Sequence, residues 1–206
     1  SPRGCVNPER SRGMRTVKLI IGFEGTHYEG WQSQKKGSTL QEIFEKTLAR
    51  ILKEKISIIS SSRTDSGVHA LALAAHFRTQ SRLPDRTLQA ALNHYLPKDV
   101  LVRSARTVSP SFHARYSAKT KLYEYRILNR PERPALDRHR VWHIRHPLDL
   151  AAMREAAKLL IGRHDFSSFQ GHPTDTENPV CDIQRLDLIH EPPMIRIEVQ
   201  ADRFLK

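Results

Sequence analysis

The chain has 206 residues, 38% of them hydrophobic, which is enough for one large domain or two small lobes with a genuine core. No apolar run approaches the ~20 residues of a membrane-spanning helix, and the two cysteines, Cys5 and Cys181, are far apart and lack metal-ligand spacing, so the chain reads as cytosolic, reduced and without a membrane partner. The formal net charge of +12, from 34 Lys and Arg against 22 Asp and Glu, favours a polyanionic partner.

Residues 1–13 carry no hydrophobic pattern and read as an extension ahead of a domain that begins at Met14. Thr16 to Phe23 is a β-type run, turned by Glu24-Gly25-Thr26. Thr39 to Lys53 predicts a helix: Leu40, Ile43, Phe44, Leu48, Ile51 and Leu52 fall at helical spacing, and Thr39 with Glu42 has the pattern of a capping box. Strands are expected at about 56–61 and 70–78. A second helix opens at Pro84 and runs to about Tyr95, with Pro97 beyond it, and Asp99 to Arg106 reads as a strand. Residues 14–106 therefore have the order β-α-β-β-α-β of a ferredoxin-like lobe.

Ser109-Pro110-Ser111 suggests a boundary, with a second lobe over 107–206. Lys121 to Leu128 alternates as a strand, placing Tyr123, Tyr125 and Ile127 on one face. Residues 129–147, rich in proline and arginine, read as an irregular crossing. Leu150 to Ile161 predicts a helix ended by Gly162, and 183–189 with 194–200 a hairpin around Pro192-Pro193. The expected class is α+β: two ferredoxin-like (RRM-like) lobes with antiparallel sheets and helices on one side. The second lobe reads β-α-β-β and then stops, so it is incomplete relative to the first.

Residues 103–145 hold eleven basic and three acidic side chains, two-thirds of the whole positive excess. Phe112, Tyr116, Tyr123, Tyr125 and Trp142 are interleaved among them. Cations for phosphates and aromatic faces for unstacked bases suit RNA. His113, Arg115, Lys119, Lys121 and Arg126 are the candidate RNA contacts.

The most informative segment is Arg63-Thr64-Asp65-Ser66-Gly67-Val68-His69-Ala70. It places one carboxylate on a tight turn between two expected strands, with an arginine two positions before it. Any Asp-x-Gly taken alone is most often a structural turn. A carboxylate is nevertheless ionised at neutral pH and serves as nucleophile or base without activation. The octet resembles the active-site segment of the TruA-type tRNA pseudouridine synthases, with Ser66 where alanine is commoner and Ser62 where glycine is usual. Gly30-Trp31-Gln32-Ser33-Gln34 with Thr39-Leu40-Gln41 resembles the family block before it. Phe112 to Ala118 with Tyr123-Glu124-Tyr125 resembles the block after it, and His164 to Phe169 the next. Ala201 to Lys206 resembles the start of a strand that in the family continues into a Met-Val-Arg segment, so the chain reads as C-terminally truncated.

The resemblance implies a cofactor-free, cytoplasmic isomerase that converts uridine to pseudouridine at nucleotides 38 to 40 of the tRNA anticodon stem-loop. It also implies a homodimer. It assigns Asp65 as the essential carboxylate, Arg63 as a neighbour that helps displace the target base, and Tyr123 as the ring that packs on it. One rival is a non-catalytic RNA-binding module on the same fold, which the basic and aromatic stretch supports equally well. Another is a metal-dependent hydrolase, suggested by His164-Asp165 alone. Without supporting histidines that dipeptide reads better as a turn, with Phe166 and Phe169 in the core. His69 and His113 read as hydrogen-bonded scaffold or phosphate contacts rather than metal ligands, and Trp31 and Phe112 as core.

Overall fold

The computed structural model describes residues 13–34, 38–171 and 178–205. Cys5 and nearly all of the expected N-terminal extension lie outside them. The chain forms two compact units, one ending at Ala118 and the other running from Lys119 to Lys206.

In the first unit the elements are β1 (Arg15–Phe23), α1 (Leu40–Leu52), β2 (Ile59–Ser60), β3 (Ala70–Thr79), α2 (Asp85–Tyr95) and β4 (Val100–Val108). The sheet has the order β2-β3-β1-β4, with every pairing antiparallel. This is the strand arrangement of a ferredoxin-like lobe. Alternation along β1 sends Val17, Leu19, Ile21 and Phe23 to one face. There they meet Leu40, Phe44 and Leu48, a column at i, i+4 on α1, together with Leu88 and Leu92 of α2. Both helices thus pack on the same side of the sheet. Burying each such side chain stabilises the unit by about 1.5–3 kcal/mol.

Two local expectations change. The strand expected over 56–61 shrinks to two residues, because Ile56 and Ile58 turn into the core and the Ile58 N–H donates to Glu45 Oε1 (3.1 Å) instead of a ladder carbonyl. The capping box at Thr39 does not form. Thr39 makes no side-chain cap, and Glu42 instead accepts from the Ser33 hydroxyl at 2.7 Å. The amides at the start of α1 are satisfied differently: Leu40 N–H donates to Gly30 O and Gln41 N–H to Trp31 O.

The second unit contains β5 (Lys121–Asn129), β6 (Trp142–Ile144), α3 (Leu150–Leu160), β7 (Gly162–Asp165), β8 (Val180–Glu191) and β9 (Met194–Ala201). The sheet order is β6-β5-β9-β8-β7. Its β5-β9-β8 portion repeats the β1-β3-β2 arrangement of the first unit. The sheet is mixed rather than purely antiparallel, since β6 runs parallel to β5. That strand arises within the stretch expected to be irregular. Asn129 holds it in place by donating to Ile144 O (2.9 Å) and His146 O (2.7 Å) and accepting from Leu148 N–H. His164 and Asp165, expected in a turn, lie in edge strand β7 instead, because β8 begins early enough to pair with them. Phe166 is core as expected, but Phe169 is 71% exposed.

The edge of the first unit is tied by a charged knot. Asp85, in the first turn of α2, accepts from Arg15 Nη1 (2.8 Å), Thr107 N–H (2.6 Å) and Thr107 Oγ1 (2.9 Å). Burial works to raise its carboxyl, but the Thr107 hydrogen bonds and the Arg15 charge outweigh it and hold it below the usual range. A carboxyl lowered in the folded state contributes stability above its ordinary value, near ~3.9, and loses it as pH falls. Asp85→Asn is expected to cost about 1–2 kcal/mol at pH 7. The gap in melting temperature between the two proteins should close as pH falls below about 4.

Candidate active site

Asp65 sits on the turn between β2 and β3, and its side chain is exposed. The bonds that hold the turn use its backbone and its neighbours. Val68 N–H donates to Asp65 O (3.3 Å), while Gly67 N–H (3.2 Å) and the Ser66 hydroxyl (3.3 Å) both donate to Tyr28 O. Trp31 N–H donates to Thr64 O (3.1 Å). The carboxylate is therefore presented to solvent from a backbone that is fixed on both sides.

The loop after β1 clasps this turn at a separation only glycine permits. A Cβ at Gly25 would overlap the Val68 carbonyl, and one at Gly30, where φ is +85°, would overlap the Thr64 carbonyl. His69 Nδ1 accepts from Gly25 N–H at 2.9 Å, which gives that histidine a scaffold role. The Trp31 ring is 2% exposed and packs on Phe44 of α1, with ring centroids 5.9 Å apart. Arg63, on the same turn, is exposed. Ser62 keeps a negative φ, so the backbone before Arg63 does not demand glycine, and the Ser62 hydroxyl donates to Arg63 O at 3.2 Å.

Tyr28 escaped the sequence reading. It is 6% exposed, its carbonyl holds the turn, and its hydroxyl donates to Asp99 Oδ1 at 2.6 Å. Burial, then the bond to Asp99 and its charge, push the phenol far above its usual range, so it serves here as a fixed donor. No local pattern marks a tyrosine whose contribution is a backbone carbonyl and a partner 71 residues away.

His76 was also missed. It is 4% exposed on β3, and its Nδ1 accepts from Ala114 N–H at 3.1 Å. Burial, then the neighbouring His113, hold it below the ordinary histidine range. Its ring meets Phe112 edge-on at 5.8 Å and His113 at 4.8 Å, and His113 stacks on Tyr116 at 4.3 Å. His76 thereby seats the segment that carries His113 and Arg115. Phe112 is only half-buried, with Lys18 Nζ 5.3 Å over its ring.

In the second unit Tyr123 is half-buried on β5, its ring edge-on to Phe204 at 4.7 Å and 81°. Lys121 shares its face by alternation, whereas Arg126 lies on the opposite face, 2.5 Å from Glu124 Oε1. Arg115 and Lys119 are exposed. The basic stretch read from the sequence is thus divided between two units and, on β5, between two faces. Among the described residues no group of three or more His, Cys, Asp or Glu is placed to hold a metal ion, and His164 instead bonds Ile161 O at 2.8 Å.

The two glycines on this turn and its clasp should behave differently on substitution. Gly30→Ala meets both an unfavourable φ and a carbonyl, whereas Gly67, at φ +77°, has no atom within 4 Å of an added Cβ. Gly67→Ala is expected to cost about 1 kcal/mol and Gly30→Ala about 2–3 kcal/mol or more. Denaturant melts of the two variants measure the difference.

The family described as tRNA pseudouridine synthase matches residues 19–117 and 156–206. The chain is 44% identical to "tRNA pseudouridine synthase A 2" of Clostridium perfringens (strain 13 / Type A), over 93% of this chain and 79% of that protein. It is 42% identical to "tRNA pseudouridine synthase A" of Thermoanaerobacter sp. (strain X514), with the same coverage. It is 40% identical to the protein of that name from Geobacter sulfurreducens, over 94% of this chain and 79% of that protein. With the Asp65 turn, the ferredoxin-like first unit and these relatives in agreement, the chain belongs to the tRNA pseudouridine synthase family.

Proposed function

We propose that this protein isomerises uridine to pseudouridine in tRNA, at nucleotides 38 to 40 of the anticodon stem-loop, acting as a cytoplasmic homodimer without a cofactor. Family membership supports the reaction, and the observation that carries the site is the exposed Asp65 carboxylate on a turn clamped by Gly25, Gly30 and Tyr28. A clamped turn holds a reacting group at a fixed point, which is how a scaffold lowers the entropic part of a barrier.

The reaction breaks the N1–C1′ bond of uridine and makes a C5–C1′ bond; the C5 proton leaves to solvent and N1, which kept the electron pair of the broken bond, takes a proton up from it. The Asp65 carboxylate either captures C1′ as the glycosidic bond breaks or removes a sugar proton, and either role uses an ionised oxygen at one place. The detached uracil must rotate without escaping. The Tyr123 ring, braced edge-on by Phe204, provides a face for stacking that needs no directional bond. The base must first leave its stack, at a cost of a few kcal/mol. Arg63 assists that displacement. Arg115, Lys119, Lys121 and Arg126 offset the cost through phosphate contacts, and His113 orients the segment beside Arg115.

Tritium release from tRNA labelled at uridine C5 tests the reading, because formation of the new carbon–carbon bond frees that atom. In the full-length protein, Asp65→Asn is expected to abolish release while tRNA affinity stays within about tenfold. Substantial turnover by this variant would refute the assignment, and tight binding without release by the wild type would favour the RNA-binding module.

Tyr123→Phe keeps the ring and removes the oxygen. It should retain binding and much of the turnover, while Tyr123→Ala loses about 1–3 kcal/mol of base contact. A Phe variant as inactive as Ala, with an unchanged melting temperature and intact binding, would mean that the hydroxyl carries a proton.

A further inference from the structure

The last stretch of the first unit is held on its sheet through His76. Alternation along β3 turns Ala75 and Phe77 into the core and His76 to the other side. There its Nδ1 accepts from Ala114 N–H at 3.1 Å. The His113 ring lies 4.8 Å away, and its Nδ1 accepts from Tyr116 N–H at 3.3 Å. Ser117 N–H donates to His113 O and His113 N–H to the Ser117 hydroxyl, so residues 113–117 form one closed turn. Two imidazoles in contact each give the Nδ1 lone pair to a main-chain amide of the same turn.

A ring nitrogen that accepts carries no proton, so His76 can hold Ala114 only as the neutral Nε2–H tautomer. Protonation places a hydrogen on Nδ1, facing the Ala114 N–H, and leaves two donors with no acceptor between them. It also creates a cation 4.8 Å from His113. The titratable and charged groups around the ring are Lys18, its register partner on β1, Arg78 on β3, and His113 and Arg115 on the turn. All four are basic, and β2 brings only Ile59 and Ser60. Burial first, then His113 and Arg78, disfavour the imidazolium and outweigh a hydrogen bond to the Ile59 backbone that favours it.

We propose that His76 is a positioning residue that works as a proton-sensitive latch: the neutral ring docks residues 112–117 on the sheet, and the protonated ring releases them. A histidine held neutral while docked takes up its proton more readily once the turn opens. Docking is therefore complete above the ordinary histidine value, near ~6.5, weakens below it, and is lost as pH falls through the lower value of the docked ring. The released turn carries His113 and Arg115, so acid weakens tRNA binding even though it adds positive charge. That consequence alone rests on the reading of these two residues as RNA contacts, and the latch does not.

Amide hydrogen exchange of the full-length protein, followed by NMR from about pH 7.5 to 5, reads the latch without RNA or turnover. The opening constant of the Ala114 amide should rise up to about tenfold per pH unit below ~6.5, the slope for one proton taken up on opening. The Gln41 amide, bonded to Trp31 O in the same unit, should show no such rise. His76→Gln keeps an oxygen that accepts from Ala114 N–H and does not titrate, so its opening constant should be independent of pH. If that variant fails to fold, ring 15N shifts of the wild type decide: His76 should be the Nε2–H tautomer at pH 7.5 and charge in step with the opening of Ala114. An Ala114 amide as insensitive to pH as Gln41 overturns the proposal, as does a simultaneous loss of both or a His76 ring that charges while Ala114 stays protected. At fixed salt, tRNA affinity should fall about threefold or more from pH 7.5 to 5.5 in the wild type and not in His76→Gln. A rise in the wild type, with the amides behaving as expected, would overturn the consequence for RNA and not the latch.

Discussion

The first unit depends on a crossing of two backbones. The loop after β1 and the turn after β2 approach so closely that Gly25 lies against the Val68 carbonyl and Gly30 against the Thr64 carbonyl. The crossing joins elements remote in sequence. Trp31 N–H bonds Thr64 O, and the carbonyls of Gly30 and Trp31 accept the first amides of α1. The Trp31 ring then packs on Phe44 in the core. The start of a helix, the end of the central strand and the Asp65 turn are held as one piece, so the geometry of the candidate carboxylate inherits the stiffness of the core.

The two units hold together by different means. The first has a continuous core drawn from three of its strands and both helices. The second, among its described residues, has a smaller buried cluster around Phe166, Cys181, Ile183 and Ala201, and relies more on its sheet ladder. Across the charged face of that sheet run alternating ions. Glu124 meets Arg126 and Arg196, while Glu198 meets Arg196 and Arg185, and Arg185 meets Asp187. Exposed pairs of this kind add little stability, typically about 0–1 kcal/mol each. Their consequence is orientation: a guanidinium bound through Nε, as that of Arg126 is to Glu124, has its remaining donors held in one direction.

Sequence by itself determined the helices, the long strands and the Asp65 turn, because these follow from local rules. Period 3.6 marks α1, the prolines at 84 and 97 bracket α2, a β-type run marks β1, period 2 marks β5, and an Asp-Ser-Gly turn between apolar runs is read from neighbours in the chain. It also determined the family resemblance, carried by short blocks in a fixed order. Tertiary structure alone decided whatever rests on a partner far along the chain. β6 and β7 exist because β5 and β8 offer them open edges, and neither has an intrinsic pattern long enough to announce itself. Thr39 does not cap α1, because carbonyls from another loop reach the amides first. Tyr28 and His76 act through a main-chain carbonyl and a buried imidazole whose partners are set by the fold. The run of positive charge in 103–145 is a property of the sequence, but strand alternation and the division at Ala118 decide which of those charges share a face.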